Sequence, residues 1–246
     1  MNYRLLSLGA LSLALLTTHV EGSSLRKEKV EHDAVLYDNA EDVKEESFES
    51  RALSLYESLA LNNFEAPSED VFAKALKGYL KLKDEGEIKN EKLTIVDFSL
   101  SSAMPRLWVI DMVKQEVLLQ SLVSHGRNTG DEFATVFSDK VDSHMSSLGF
   151  YKTGETYQGI NGFSMRLDGL EAGINSNARK RAIVIHGADY ASLKLVKAQG
   201  RLGRSYGCPA VPVEVNKKLI ELIKDESCLF IYHPSKDYLS KSHYLS

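Results

Sequence analysis

The chain has 246 residues, 43% of them hydrophobic and 26% charged, a balance that fits a globular protein of one well-packed domain with added elements, or two small domains. Thirty Lys and Arg stand against 34 Asp and Glu, giving a formal net charge of −4. The basic excess that neutralises nucleic-acid phosphates is therefore missing, and no basic stripe replaces it.

Residues 1–22 place Arg4 before an apolar run from Leu5 to Leu16, followed by small and polar residues. The run is too short to span a bilayer and predicts a cleaved secretory signal, with an uncleaved anchor as the alternative. No later apolar run is long enough to cross a membrane, so the expected location is periplasmic or secreted, in the cell envelope. Residues 23–50 are charged and poor in core side chains, and read as a flexible linker. Residues 51–90 read as a helical extension. Leu53, Tyr56, Leu59 and Ala60 recur at helical spacing as far as Asn62, and a second helix starts at Pro67-Ser68-Glu69-Asp70. There Ser68 caps, the two acids lie in the positive first turn, Phe72, Ala75, Leu76, Tyr79 and Leu80 form the apolar face, and Gly86 closes the helix.

From residue 91 to 246 the pattern predicts a mainly β domain, a sandwich or barrel with flanking helices. LTIVDFSL, RLWVIDM, VLLQSLV, FSMRL, RAIVIH and LFIYH are short β-type runs, with Lys114-Gln115 as a hairpin tip. Pro212 to Lys224 reads as a helix with Val215, Leu219, Leu222 and Ile223 on one face. Three polar, glycine-containing stretches, 124–130, 146–151 and 157–162, read as loops that wall a cavity.

Chemistry concentrates in the stretch 183–211. A β-type run ends at His186-Gly187, and Cys208 follows 22 residues later in the turn Ser205-Tyr206-Gly207-Cys208. A thiol attacks a carbonyl well only as thiolate, so it needs a base; His186 is the candidate, and the backbone N–H groups of the turn are candidate oxyanion donors. Arg201 and Arg204 are candidates to steady the thiolate or a substrate carboxylate. A buried Cys beside an unrelated His is the alternative. The second cysteine, Cys228, opens an apolar run and reads as a core residue, with a Cys208–Cys228 disulfide as the alternative. His125, His144, His186, Cys208 and His233 show no tight zinc spacing, and no metal or cofactor is expected.

SHGRNTG (124–130), SSLGFYKTGETYQGINGFSMRLDGLE (146–171), RAIVIHGADY (181–190) and GRLGRSYGCPAV (200–211), in that order, resemble the YkuD-type L,D-transpeptidase catalytic domain, in the murein L,D-transpeptidase branch carrying GRSxGCPA. The resemblance covers residues 96 to 232. It implies Cys208 as nucleophile, His186 as base, and Ser205 and Gly207 as the supporting turn. Arg204, Tyr206, Gly187, His125, Gly126, Tyr151 and Arg201 are the expected substrate contacts. The implied partner is a peptidoglycan stem tetrapeptide: the thiolate attacks the carbonyl of its third residue, releases D-alanine, and the acyl group passes to an amine, giving a 3→3 cross-link. Water as acceptor makes the same site an L,D-carboxypeptidase. A non-catalytic peptidoglycan-binding module is the reading from another class. The commoner family pattern has histidine where this chain has Tyr206, and an arginine or asparagine where it has Pro209-Ala210. His125 is the candidate to replace that imidazole, and the long gap after His186 is expected to form a lid or an added specificity surface.

Overall fold

The computed structural model describes residues 47–246. The expected signal and most of the charged linker lie outside the described residues. The described residues form one compact unit.

Helix α1 (Phe48–Glu57) begins inside the stretch read as linker, because Ser47 caps it by accepting the Ser50 N–H at 3.2 Å. It ends short of Asn62, where Asn62 and Asn63 take left-handed backbone (φ 51° and 70°) and turn the chain. Helix α2 (Glu69–Asp84) starts as its pattern predicts: the Ser68 hydroxyl accepts from the Val71 N–H, with Glu69 and Asp70 in the first turn and Lys81 and Lys83 in the last. Its buried face is Val71, Phe72, Ala75, Leu76, Tyr79 and Leu82, while Leu80 turns outward. Gly78 lets this face reach the sheet, since a Cβ there would lie 2.0 Å from the Phe150 ring.

Eight strands form one mixed sheet in the order β3-β2-β1-β8-β4-β5-β6-β7. They are β1 (Asn90–Asp97), β2 (Leu107–Asp111), β3 (Glu116–Ser121), β4 (Gly149–Gly159), β5 (Gly162–Gly169), β6 (Val184–Gly187), β7 (Ala210–Val211) and β8 (Ser227–Tyr232). The β1/β8 and β6/β7 pairs are parallel and the rest antiparallel. The middle strands β1, β2 and β8 read as almost continuous apolar runs because both faces are covered: every residue of β8 is buried, and α2 and α4 (Val213–Ile223) pack on β1. Within α4, Asn216, Leu219, Ile220 and Ile223 are buried, with Val215 and Leu222 half-buried against the same core.

The chain beyond β3 crosses to the far edge. Ser124 bridges Ala210 antiparallel and Gly126 bridges Ser205 parallel. These links nearly close the sheet into a barrel and bring the 124–130 loop against the cysteine turn. Strand β4 departs from the expected loops. Residues 149–151 are its first, buried residues, and 157–159 lead to the exposed tip of the β4–β5 hairpin at Ile160. Its outer half, GETYQG, is polar because only the inner half faces the core, which hides the strand from an apolar-run reading.

Candidate active site

His186 sits near the end of β6, paired with Ser164 of β5 on one side and Ala210 of β7 on the other. It is 4% exposed. Its Nδ1 lies 2.9 Å from the Gly187 carbonyl, which can only accept, so Nδ1 carries the proton and the lone pair is left on Nε2. Burial lowers its pKa, partly offset by the Gly187 bond, and so favours the neutral ring. Gly187 thus contributes its carbonyl to the histidine.

Two residues before Ala210, Cys208 is half-buried and its thiol is free. The sulfur faces the segment leading into β6: it donates weakly to the Ala182 carbonyl at 3.7 Å, and the Val184 N–H points at it. Burial raises the thiol pKa, and the Val184 N–H and the Arg181 charge oppose that rise. These directions favour an uncharged thiol and a neutral imidazole. Cys228 is also free and lies fully buried in β8.

The turn that presents Cys208 is closed by one side chain. The Ser205 hydroxyl accepts the Gly207 N–H at 3.0 Å and donates to the Cys208 carbonyl at 2.7 Å. Gly207 holds φ 119°, and a Cβ there would lie 2.8 Å from the Met145 carbonyl, so glycine is required. With its N–H used by Ser205, the free donors of the turn are the N–H groups of Tyr206 and Cys208, which have no acceptor among the described residues. The neighbouring loop fastens the turn: Ser205 N–H donates to the His125 carbonyl, Arg127 N–H to the Ser205 carbonyl, and Ser146, which accepts from the Gly126 N–H, donates to the Gly207 carbonyl.

The other expected contacts are placed as follows. His125 is buried, with its ring committed: Arg106 donates to Nδ1 at 2.8 Å, so Nε2 carries the proton and faces the Gly130 carbonyl. Burial and the Arg106 charge push its pKa down to about 4. It bolts the 124–130 loop and is not free to stand in for an imidazole at position 206; the imidazole beside Tyr206 is His144, with ring centroids 4.5 Å apart. Tyr151 lies in the core, its hydroxyl bonded to Ser147. Buried by the close packing of β4, it presents no surface to a ligand. Arg204 is spent on Asp131 (2.5 Å) and the Gly130 carbonyl, while Arg201 bonds the Leu202 carbonyl. Tyr206, two residues before Cys208, is 65% exposed. The gap after His186 holds α3 (Leu193–Gln199) and is seated by a small core of Leu122, Ala188, Ala191, Leu202 and Ala210, which anchors it at both ends.

Two arginines went unread in the sequence. Arg106 is wholly buried, bonding the Leu100 and Val123 carbonyls as well as His125, over the Phe98 ring. Burial lowers its pKa to about 9. Arg181 is the arginine whose charge acts on the thiol; it ties the Ser138 and Met145 carbonyls and pairs with Asp139 at 3.6 Å. Each stands at the head of a β-type run, where a basic residue reads as a solvated strand end. Among the described residues no three His, Cys, Asp or Glu gather as metal ligands. The largest recess, about 670 Å³, lies among Lys152, Glu155, Asp168 and Arg179 and includes no residue of β6 or the cysteine turn.

A family profile described as L,D-transpeptidase catalytic domain matches residues 64–232. The chain belongs to that family. The match takes in β1 through β8, α2 and the whole Cys208 turn. No curated protein sequence matches the chain. Solved structures that resemble it include an L,D-transpeptidase from Mycobacterium smegmatis, at 13% identity and TM-score 0.36, covering 58% of this chain and 59% of that one. A Bdellovibrio bacteriovorus protein, Bd1075, stands at 18% identity and TM-score 0.37, with 58% and 48% covered. An L,D-transpeptidase from Xylanimonas cellulosilytica stands at 11% and 0.33, with 75% and 90% covered. The chain thus spans about 59% of the first of these relatives and 48% of the second.

Proposed function

We propose that this L,D-transpeptidase family member is an exported cysteine acyltransferase acting on peptidoglycan stem tetrapeptides. The observation that carries the reading is the Ser205–Cys208 turn, closed by its own serine hydroxyl, which holds a free thiol next to two unoccupied backbone donors. In the proposed cycle the Nε2 of His186 takes the thiol proton as sulfur attacks the carbonyl carbon of the third stem residue. The Tyr206 and Cys208 N–H groups receive the oxyanion, an arrangement that costs no reorganisation during reaction. The C–N bond to the terminal D-alanine breaks, and the imidazolium returns its proton to the leaving amine. An amine of a neighbouring stem then attacks the thioester, the C–S bond breaks, and a 3→3 cross-link forms; water in its place yields a tripeptide.

Purified protein incubated with a defined disaccharide-tetrapeptide, followed by mass analysis, tests this. Cross-linked dimers support the transpeptidase and tripeptide monomers the carboxypeptidase. A carbapenem adduct on Cys208 that disappears in Cys208→Ala supports the nucleophile. A folded protein with a free thiol that yields neither adduct nor product sinks the reading and favours a binding module.

A further inference from the structure

A second recess, of about 220 Å³, opens beside the nucleophile, lined by Asp142, His144, Lys180, Arg181 and Ala182 and by Tyr206. It shares Ala182 with the thiol, whose sulfur donates to that residue's carbonyl. At this size it holds one small residue or terminal group, below the roughly 300 Å³ at which pockets for whole ligands begin. Its walls are held in unusual backbone: Asp142, His144 and Ala182 all have positive φ (58°, 53° and 53°), which persists in non-glycine residues only where surroundings enforce it. Arg181 does the enforcing. It reaches from the Ala182 side across to the Met145 carbonyl and the Ser143 hydroxyl, and its charge is committed to Asp139.

The mouth is basic and unspent. The exposed Tyr206 ring lies between the His144 imidazole and the Arg127 guanidinium, which stands 5.6 Å from the ring centroid. Neither Arg127 nor Lys180 has an acidic partner among the described residues, whereas Arg204 and Arg179, not far along the chain, are both ion-paired. The Tyr206 hydroxyl likewise has no hydrogen-bond partner among the described residues. Asp142 is the single acid in the lining and Lys180 the single unpaired cation there, and Arg127 adds a second one from outside the lining, against the Tyr206 ring.

Resting on the proposed role of Cys208, we infer that this recess and its rim at Tyr206 form a subsite for a carboxylate of the substrate peptide, held by Lys180 from the lining and Arg127 from the rim, with the Tyr206 hydroxyl as a further donor. Guanidinium and ammonium donors bind carboxylates through charge-assisted hydrogen bonds, and the stacked Tyr206 ring fixes the guanidinium plane. The subsite assigns a task to Tyr206, the residue of the cysteine turn whose side chain the turn itself does not use.

Titration calorimetry on the full chain carrying Cys208→Ser tests the subsite, using the stem tetrapeptide and versions in which each free carboxylate is amidated in turn. One amide is expected to bind about 10- to 100-fold more weakly than the acid, and the combined Arg127→Gln, Lys180→Gln variant to bind acid and amide alike. Tyr206→Phe, which keeps the stack and removes the donor, is expected to recover part of that discrimination. Equal binding of acid and every amide by the Cys208→Ser protein overturns the subsite, as does a variant lacking both cations that still prefers the acid. Weakening by Asp142→Asn alone also overturns it, since that marks an ammonium as the bound group. Acylation of the wild-type protein is followed separately: acylation without discrimination leaves the enzyme and removes the subsite, and discrimination without acylation does the reverse.

Discussion

At the scale of single residues, the two groups of the proposed reactive pair both rest uncharged. Burial moves the two groups in opposite directions, His186 down and Cys208 up, so in the proposed cycle proton transfer is expected to accompany attack. The sign of the pH dependence follows. Activity is lost on the acid side when His186 is protonated, and because its pKa is lowered, that loss sets in below the ordinary imidazole value of about 6.5. The rate of β-lactam acylation against pH is the measurement, and an acid limb above the ordinary value contradicts the neutral pair. Ser205 makes a second test. Ser205→Ala removes both hydroxyl bonds that close the turn, and is expected to slow acylation about 10- to 100-fold while costing about 1–2 kcal/mol in denaturant unfolding. A slowed rate in protein that is still folded under the assay conditions separates positioning of Cys208 from general support of the fold.

At the scale of elements, the loop after β3 is held by the buried Arg106–His125 contact. Arg106 serves three acceptors from inside the core, so Arg106→Ala leaves the Leu100 and Val123 carbonyls and the His125 Nδ1 unpaired. The expected loss is about 3–5 kcal/mol in a urea titration. His125 adds a pH term. Its folded pKa of about 4 lies below the unfolded value of about 6.5, so between them the unfolded chain binds more protons. Stability is complete above about pH 6.5 and falls as pH drops toward 4, by on the order of 2–3 kcal/mol. Unfolding at several pH values in wild type and His125→Gln measures this, and a variant with the same acid slope excludes His125 as its source.

At the scale of the whole molecule, the reactive turn belongs to a sheet whose edges are drawn together by the bridges from Ser124 and Gly126. Helix α2 and the C-terminal segment are part of the same core, as Phe72, Ala75, Leu82, Tyr238 and Tyr244 show by their burial. Glu171, inside that core, accepts from the Phe150 N–H and from the hydroxyls of Tyr238, within α5 (Lys236–Lys241), and Ser242, which caps its end. Removing residues 236–246 strips those two donors from a buried carboxylate and uncovers Phe150. The truncated protein is expected to lose several kcal/mol and to be digested by protease at concentrations the full chain survives. Equal protease resistance contradicts a shared core.

The sequence by itself determined the pieces whose signal is local. Ser68 capping α2, Gln115 turning the β2–β3 hairpin, the apolar β1, β2 and β8, and the thiol in a small-residue turn all follow from side-chain chemistry within a few positions. Tertiary structure alone decided what depends on distant neighbours. Strand β4 is polar along half its length because only its inner half meets the core, so no apolar periodicity announces it. Tyr151 and His125 look like site residues among glycines, yet Ser147 and Arg106 take up their polar atoms, from 4 and 19 positions away in sequence. Arg181 and Arg127 carry the opposite lesson: charge reads alike along a chain, and only the fold shows that one is spent inside the protein and the other stands free beside Tyr206. The Ser205–Cys208 turn joins both kinds. Its small-residue make-up was legible, while the Ser205 hydroxyl bonds that close it and its place against the 124–130 loop came from the fold, because a bridge between Gly126 and Ser205 spans 79 residues and leaves no local trace.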